Sequence, residues 1–405
     1  MENSPRRLFN FLPRGHGSRR RAVRAGADRP LSLVAVFGVS AAVIVGSVSV
    51  ASAQSVPMAS SQGLKIGSSF LSRFTTVSNV ASTIPGNGDV NPYGIVNVSQ
   101  TVGSLVRGDT LVSNFNATSN LQGTGSTIVE ISPGGQQSLF AQLSGPLPGS
   151  CPGGVGLTTA LTILRGGFVV VGSLPVTNAG MGTPEAGCLI VLNSNGAPVE
   201  TWSGGNINGP WDLTSVQFQD FAELFVTNVL NGTVKAGGSQ VNRGTVVRIN
   251  VLDVPGHIPQ MVGSQVIGSG FAEELNSSAL VLGPTGVALS QDGTLYVSDT
   301  VDNRLAVIPF AWRRSTPVPD GGQTLTSGGS LNSPLGMTLA PNGDLITVNA
   351  GDGNAVETTP SGQQVATVQF DPAGASGDLF GLTIAPNRSG VLFVDDGDNT
   401  LKLFH

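Results

Sequence analysis

Carboxylates and amides recur at one place in this chain. Asn114, Asn228, Asp299, Asn349 and Asp396 each stand at the end of a short apolar run, and Gly172 fills the same place once. A second series stands just before a marker residue: Tyr93, Trp211, Thr285, Leu335 and Phe380. The markers are Gly94, Gly156, Asp212, Gly286, Gly336 and Gly381, so Asp212 breaks a rule of glycine. Hard oxygen donors of this kind suit Ca²⁺ or Mg²⁺. Aromatic faces beside carboxylates also suit sugars. Asp and Asn recur in turns without any ligand as well, because they bond their own backbone. The ligand-binding candidates are Tyr93, Trp211, Asp212, Asn228, Asp299, Asn349 and Asp396. No catalytic residue is assigned, and the metal is left open, with Ca²⁺ as the ion considered.

Other chemistries find little footing. The chain has three His, and they are His16, His257 and His405, none in either series. A His-based zinc cage or a catalytic His on a shared axis is therefore not expected. Gly-rich stretches such as "GGSQVNRG" precede no helical pattern, which argues against a phosphate loop.

The elements that must position these residues are strands in a repeat. "LYVSDTVDNRLAVI" (Leu295–Ile308) is echoed by "LITVNAGDGNAVET" (Leu345–Thr358) and by "LFVDDGDNTLKLF" (Leu392–Phe404). Before each comes a second echo: "GPTGVALSQDG", "SPLGMTLAPNG" and "LFGLTIAPNRSG". Earlier units start at Asn91, Val155 and Gly209, and the period of about 50 residues belongs to propellers and arrays. With 56 Gly, 25 Pro and 11% charged residues, the composition suits many short strands joined by turns.

On these motifs the chain resembles the NHL-repeat family of β-propellers, within the group that includes gluconolactonase-like and virginiamycin-lyase-like proteins. The likeness is strong over 282–405 and in register over 90–280. It implies an all-β fold, a six-bladed β-propeller of four-stranded antiparallel blades, with both residue series at the channel mouth. It leaves function open, since the family holds enzymes, ligand binders and protein platforms. Lyase-like relatives depend on a His that has no counterpart here. Gluconolactonase-like relatives hold a divalent ion with a Glu from an early inner strand plus Asn and Asp. No Glu begins an inner strand here, and Asn228 and Asp299 match only the Asn/Asp part. The expected function is a binding or scaffold protein whose mouth contacts a protein, a glycan or a small polar ligand. The alternative is a divalent-metal-dependent hydrolase or lactonase.

The N-terminus reads as a targeting segment. Residues 1–30 carry eight Arg, Leu31–Val50 is apolar or small throughout, and "ASA" follows at 51–53. The expected arrangement is a signal peptide over 1–53, a Ser-rich lead-in over 54–69 and the propeller over 70–405. The protein would then be secreted or periplasmic, and a membrane partner would be expected only with the leader uncleaved. Without the leader, 12 basic residues face 23 acidic ones, a net charge of −11, which excludes nucleic acid as a partner. A monomer is expected. Cys151 and Cys188 form an even pair, the pattern of one disulfide in an exported chain. The last unit lacks a fourth strand, and "FLSRFTTVSNVASTIP" at 70–85 alternates like one, so ring closure by this segment is expected. The stretch near 253–282 reads as an insertion, either loop or an extended outer strand.

Overall fold

The structure, a computed structural model, describes residues 69–177, 183–372 and 377–405. The expected signal peptide, and the lead-in before Ser69, lie outside the described residues. Six antiparallel sheets surround one axis. Their inner strands are Val90–Asn97, Leu157–Ile163, Pro210–Gln217, Pro284–Leu289, Pro334–Leu339 and Leu379–Ile384. We number the blades one to six in that order. The fold is therefore a six-bladed β-propeller. Among the described residues, blade three alone carries a fifth strand.

Apolar clusters lie between consecutive blades, because each sheet has two faces and only a neighbour can cover them. The glycine rule has a steric cause at the same joints. A Cβ on Gly286 would collide with the Leu335 carbonyl oxygen of the next blade. On Gly336 it would meet the Phe380 carbonyl, and on Gly381 the Tyr93 carbonyl. Each inner strand kinks at this position. Pro334 pairs with Asn349 and Met337 with Thr347, so two residues oppose one.

Blade two departs from the sequence reading. Its kink spans Thr158–Ala160, since Leu157 pairs with Ser173 and Leu161 with Val171. Gly156 is therefore not its marker, and Ser173, not Gly172, ends the second strand in register. One extra residue in the bulge displaces the sequence alignment there.

The ring closes through the N-terminal segment. Val77–Ser82 pairs antiparallel with Thr400–Phe404, from Val77 opposite Phe404 to Ser82 opposite Thr400. Ahead of this strand a 3₁₀ turn, Leu71–Arg73, is pinned to blade five. Glu357 accepts from Ser69 Oγ at 2.6 Å and from the Phe70 and Leu71 amides at 2.7 Å each. Burial alone would raise the Glu357 carboxyl, but these donors and Asn342 outweigh it and hold it below the ordinary value.

The insertion is mostly strand. Gln260–Asn276 runs 17 residues, then turns at Asn276, whose Oδ1 accepts from the Ser278 and Ala279 amides. The chain returns as Leu280–Leu282, paired to the long strand. Leu280 and Val281 are buried in the axial cluster.

Candidate functional site at the channel mouth

The channel is plugged part-way along its axis. Tyr93 stacks on Phe380 at 3.8 Å between centroids and on Phe115 at 4.3 Å. Trp211 lies 6.0 Å from Tyr93 and donates its indole N–H to the Val281 carbonyl at 3.0 Å. Leu335 completes the floor. Tyr93 and Trp211 are 1% and 2% exposed, so they are the floor's interior and present no aromatic surface at the mouth. Apolar rings of this size gain more from mutual packing than from water.

The strand-end residues mostly turn away from the axis. Asn114 donates to the Thr83 carbonyl and to Thr127 Oγ1, and Asn228 accepts from the Asn208 amide. Asn349 donates to the Ser330 carbonyl and to Asp352. Asp299 is fully buried and bound by Arg304, at 2.7 Å for the closest pair. Burial pushes its carboxyl up to about 7, against the pull of Arg304. These side chains fasten each second strand to the chain leading into its blade (Thr83, Asn208, Ser330) or to its third strand (Thr127, Arg304). That correction applies to Asn228, Asp299 and Asn349.

Asp396 behaves differently because it is one residue out of register. Leu379 pairs with Asp395, so Asp395 is the counterpart of Asp299, and it is held by Lys402 at 2.6 Å. The next side chain projects from the opposite side of the strand end. Asp396 thus lines the mouth where the other blades place Phe115, Leu174, Val229, Thr300 and Ala350. Burial, then Asp378 and Asp395, raise its carboxyl to about 7.

The mouth is a cavity of about 660 Å³ above the plug. Its polar lining includes Asn91, Asn116, Asn120, Gln122, Asp378 and Asp396. Apart from Asp396, sequence reasoning missed them all. Asn91 is 2% exposed, and its Oδ1 has no partner among the described residues. Its Nδ2 lies 2.9 Å from Asn116, whose amide accepts in the orientation that satisfies both groups. The Tyr93 hydroxyl lies buried beneath, beside the Asn91 side chain. Burial, and after it the charge of Asp396, hold that phenol well above its usual value, while neighbouring Asn91 opposes them. The insertion overhangs the cavity, tied to blade one by Gln122 Nε2 donating to the Ser277 carbonyl at 3.0 Å.

This donor set fits a hard divalent cation. Two carboxylates and an orphaned amide oxygen are hard donors; the charge of Asp378 raises the Asp396 carboxyl, and Lys402 offsets the charge at Asp378 alone. Among the described residues no group of three His, Cys, Asp or Glu is placed to hold an ion, so amides would complete any site.

Asp212 belongs elsewhere. It lies on the opposite side of the plug, where it lines a separate cavity. The structure therefore does not bring Asp212, Asp299 and Asp396 together. Cys151 and Cys188 form a disulfide, with Cα atoms 5.3 Å apart.

No family model matches the chain, and neither does any curated protein. Solved structures do resemble it. A luciferin-regenerating enzyme aligns with 81% of this chain and 94% of its own at a TM-score of 0.52 and 11% identity. A gluconolactonase from Xanthomonas campestris aligns with 81% and 88% at a TM-score of 0.50 and 15% identity. A virginiamycin B lyase from Staphylococcus aureus aligns with 82% and 99% at a TM-score of 0.48 and 14% identity. At such identities the likeness shows the propeller fold alone.

Proposed function

We propose that the mouth cavity holds a divalent cation and that the protein hydrolyses a small polar ester or lactone there. The observation that carries this reading is the buried, unpartnered Asn91 amide oxygen in a cavity that also contains Asp378 and Asp396. Those three residues would hold the ion, with Ca²⁺ the best match to all-oxygen donors. A bound ion supplies Lewis-acid polarisation of a ligand carbonyl. Asn116, Asn120 and Gln122 offer amides to a ligand's hydroxyl and ring oxygens. The aromatic floor keeps water from entering beneath the ligand. The fold shared with a gluconolactonase supports the lactone class as the first to test.

A second reading is a binding protein that does not turn its ligand over. It is favoured by one observation: among the described residues, no His or Glu lines the mouth. The test is a screen of five- and six-membered sugar lactones, after chelation and after adding back Ca²⁺, Mg²⁺, Mn²⁺ or Zn²⁺. The hydrolase reading expects metal-dependent ring opening that Asp396→Asn reduces at least tenfold. Lactone or sugar binding with no ring opening under any metal would replace it with the binding reading.

A further inference from the structure

Below the plug the channel continues as a second cavity of about 320 Å³. It is walled by the later halves of the inner strands, where Leu161, Val287, Met337 and Leu382 alternate with the hydroxyl-bearing Thr162, Thr214, Ser215 and Thr338. That volume is at the small end of ligand sites, which span roughly 300–1,000 Å³. One carboxylate lines it, that of Asp212, which is 8% exposed.

Asp212 occupies the position where four other blades, at Gly94, Gly286, Gly336 and Gly381, leave no room for a side chain. Its Oδ1 accepts from the Leu213 amide at 2.8 Å, and its Oδ2 accepts from the Val287 amide of blade four at 3.1 Å. Each oxygen keeps a further lone pair. Thr159 lines the same cavity from blade two, 5% exposed, and its hydroxyl has no partner among the described residues. Among the described residues, no Lys or Arg lines the cavity. Burial without a countercharge keeps the Asp212 carboxyl protonated up to about 8, and a cation beside it would restore the carboxylate; a buried hydroxyl without a bond is costly as well. A small cation that carries several donors and a short apolar tail answers both and suits a wall of mixed hydroxyl and apolar side chains. A bare Ca²⁺ fits poorly, because it takes six to eight oxygen ligands and one carboxylate stands here.

We propose that the lower channel binds a small free primary amine as its alkylammonium ion. The ammonium donates to Asp212 and to Thr159 Oγ1, and the alkyl chain lies against Leu161, Val287 and Met337. This site is independent of the mouth.

The test is titration calorimetry of the full chain with n-butylammonium chloride, with n-butanol and CaCl₂ as separate arms at matched ionic strength. The expected result is one butylammonium per chain, with butanol at least tenfold weaker. Loss of a charge-assisted bond predicts that Asp212→Asn weakens butylammonium by about 10–100-fold. Thr159→Val should weaken it several-fold, and it decides the matter should Asp212→Asn fail to fold. Asp396→Asn at the mouth should leave butylammonium binding unchanged. The proposal is overturned by absence of butylammonium binding, by butanol binding as tightly, or by Ca²⁺ displacing butylammonium in the Asp396→Asn chain. Wild-type affinity in either lower-channel variant, or loss of affinity in Asp396→Asn, overturns it equally.

Discussion

Asp212 Oδ2 accepts a hydrogen bond from the Val287 amide across the joint between blades three and four, at 3.1 Å. Burial raises this carboxyl from 3.8 to about 8, while the Leu213 and Val287 amides pull against it. Between those two values the folded chain holds one proton more than the unfolded chain. Stability therefore falls as pH rises from about 4 to 8 and is level on either side of that window. Asp212→Asn removes this slope. Urea unfolding at pH 4, 6 and 8.5 should show the variant gaining on the wild type by up to about 1.4 kcal/mol per pH unit. A difference that stays constant with pH contradicts the assignment. Other titrating groups cancel, since both chains share them.

The blade joints make a steric prediction. Gly336→Ala places a methyl against the Phe380 carbonyl and should cost roughly 1–3 kcal/mol or more. Gly145→Ala, where a Cβ meets nothing within 4 Å, should change stability by less than about 0.5 kcal/mol. Equal melting of the two variants would show that the inner strands have slack at the joint.

The Glu357 carboxylate anchors the segment ahead of the ring-closing strand. Glu357→Ala leaves Ser69 Oγ and the Phe70 and Leu71 amides without their acceptor. The expected loss is roughly 2–4 kcal/mol, with faster proteolysis ahead of residue 85. Unchanged melting and unchanged cleavage would mean the strand Val77–Ser82 holds the ring unaided.

The disulfide closes a chain separation of 37 residues. Replacing both Cys151 and Cys188 with Ala should lower stability by about 3–4 kcal/mol on the loop-entropy account. Reductant should then have no further effect on the double variant. A double variant as stable as the oxidised wild type contradicts the bridge's stabilising role.

The fold was legible because its constraints repeat. A glycine is required wherever a neighbouring carbonyl occupies the space of a Cβ, and that requirement returns in Gly94, Gly286, Gly336 and Gly381. Asp212 stood out for the same reason, although its place on the far side of the plug did not. The site was less legible because strand side chains alternate faces at every residue. Asp395 and Asp396 read alike in the sequence, yet one binds Lys402 and the other lines the mouth. Asn91, at a backbone φ of 61° near the start of Val90–Asn97, and Asp378, just ahead of Leu379–Ile384, stand where the other blades carry Gly156, Gly209, Gly283 and Ser333, so no periodicity marked them. The extra residue in the blade-two kink hid its register for a similar reason.

Titration calorimetry of Ca²⁺ into chelator-treated protein, wild type and Asp396→Asn, tests the proposed mouth site most directly. The expected result is one ion per wild-type chain and at least tenfold weaker binding in the variant, with melting otherwise intact. Absence of Ca²⁺ binding in the wild type, or equal affinity in both proteins, would contradict it.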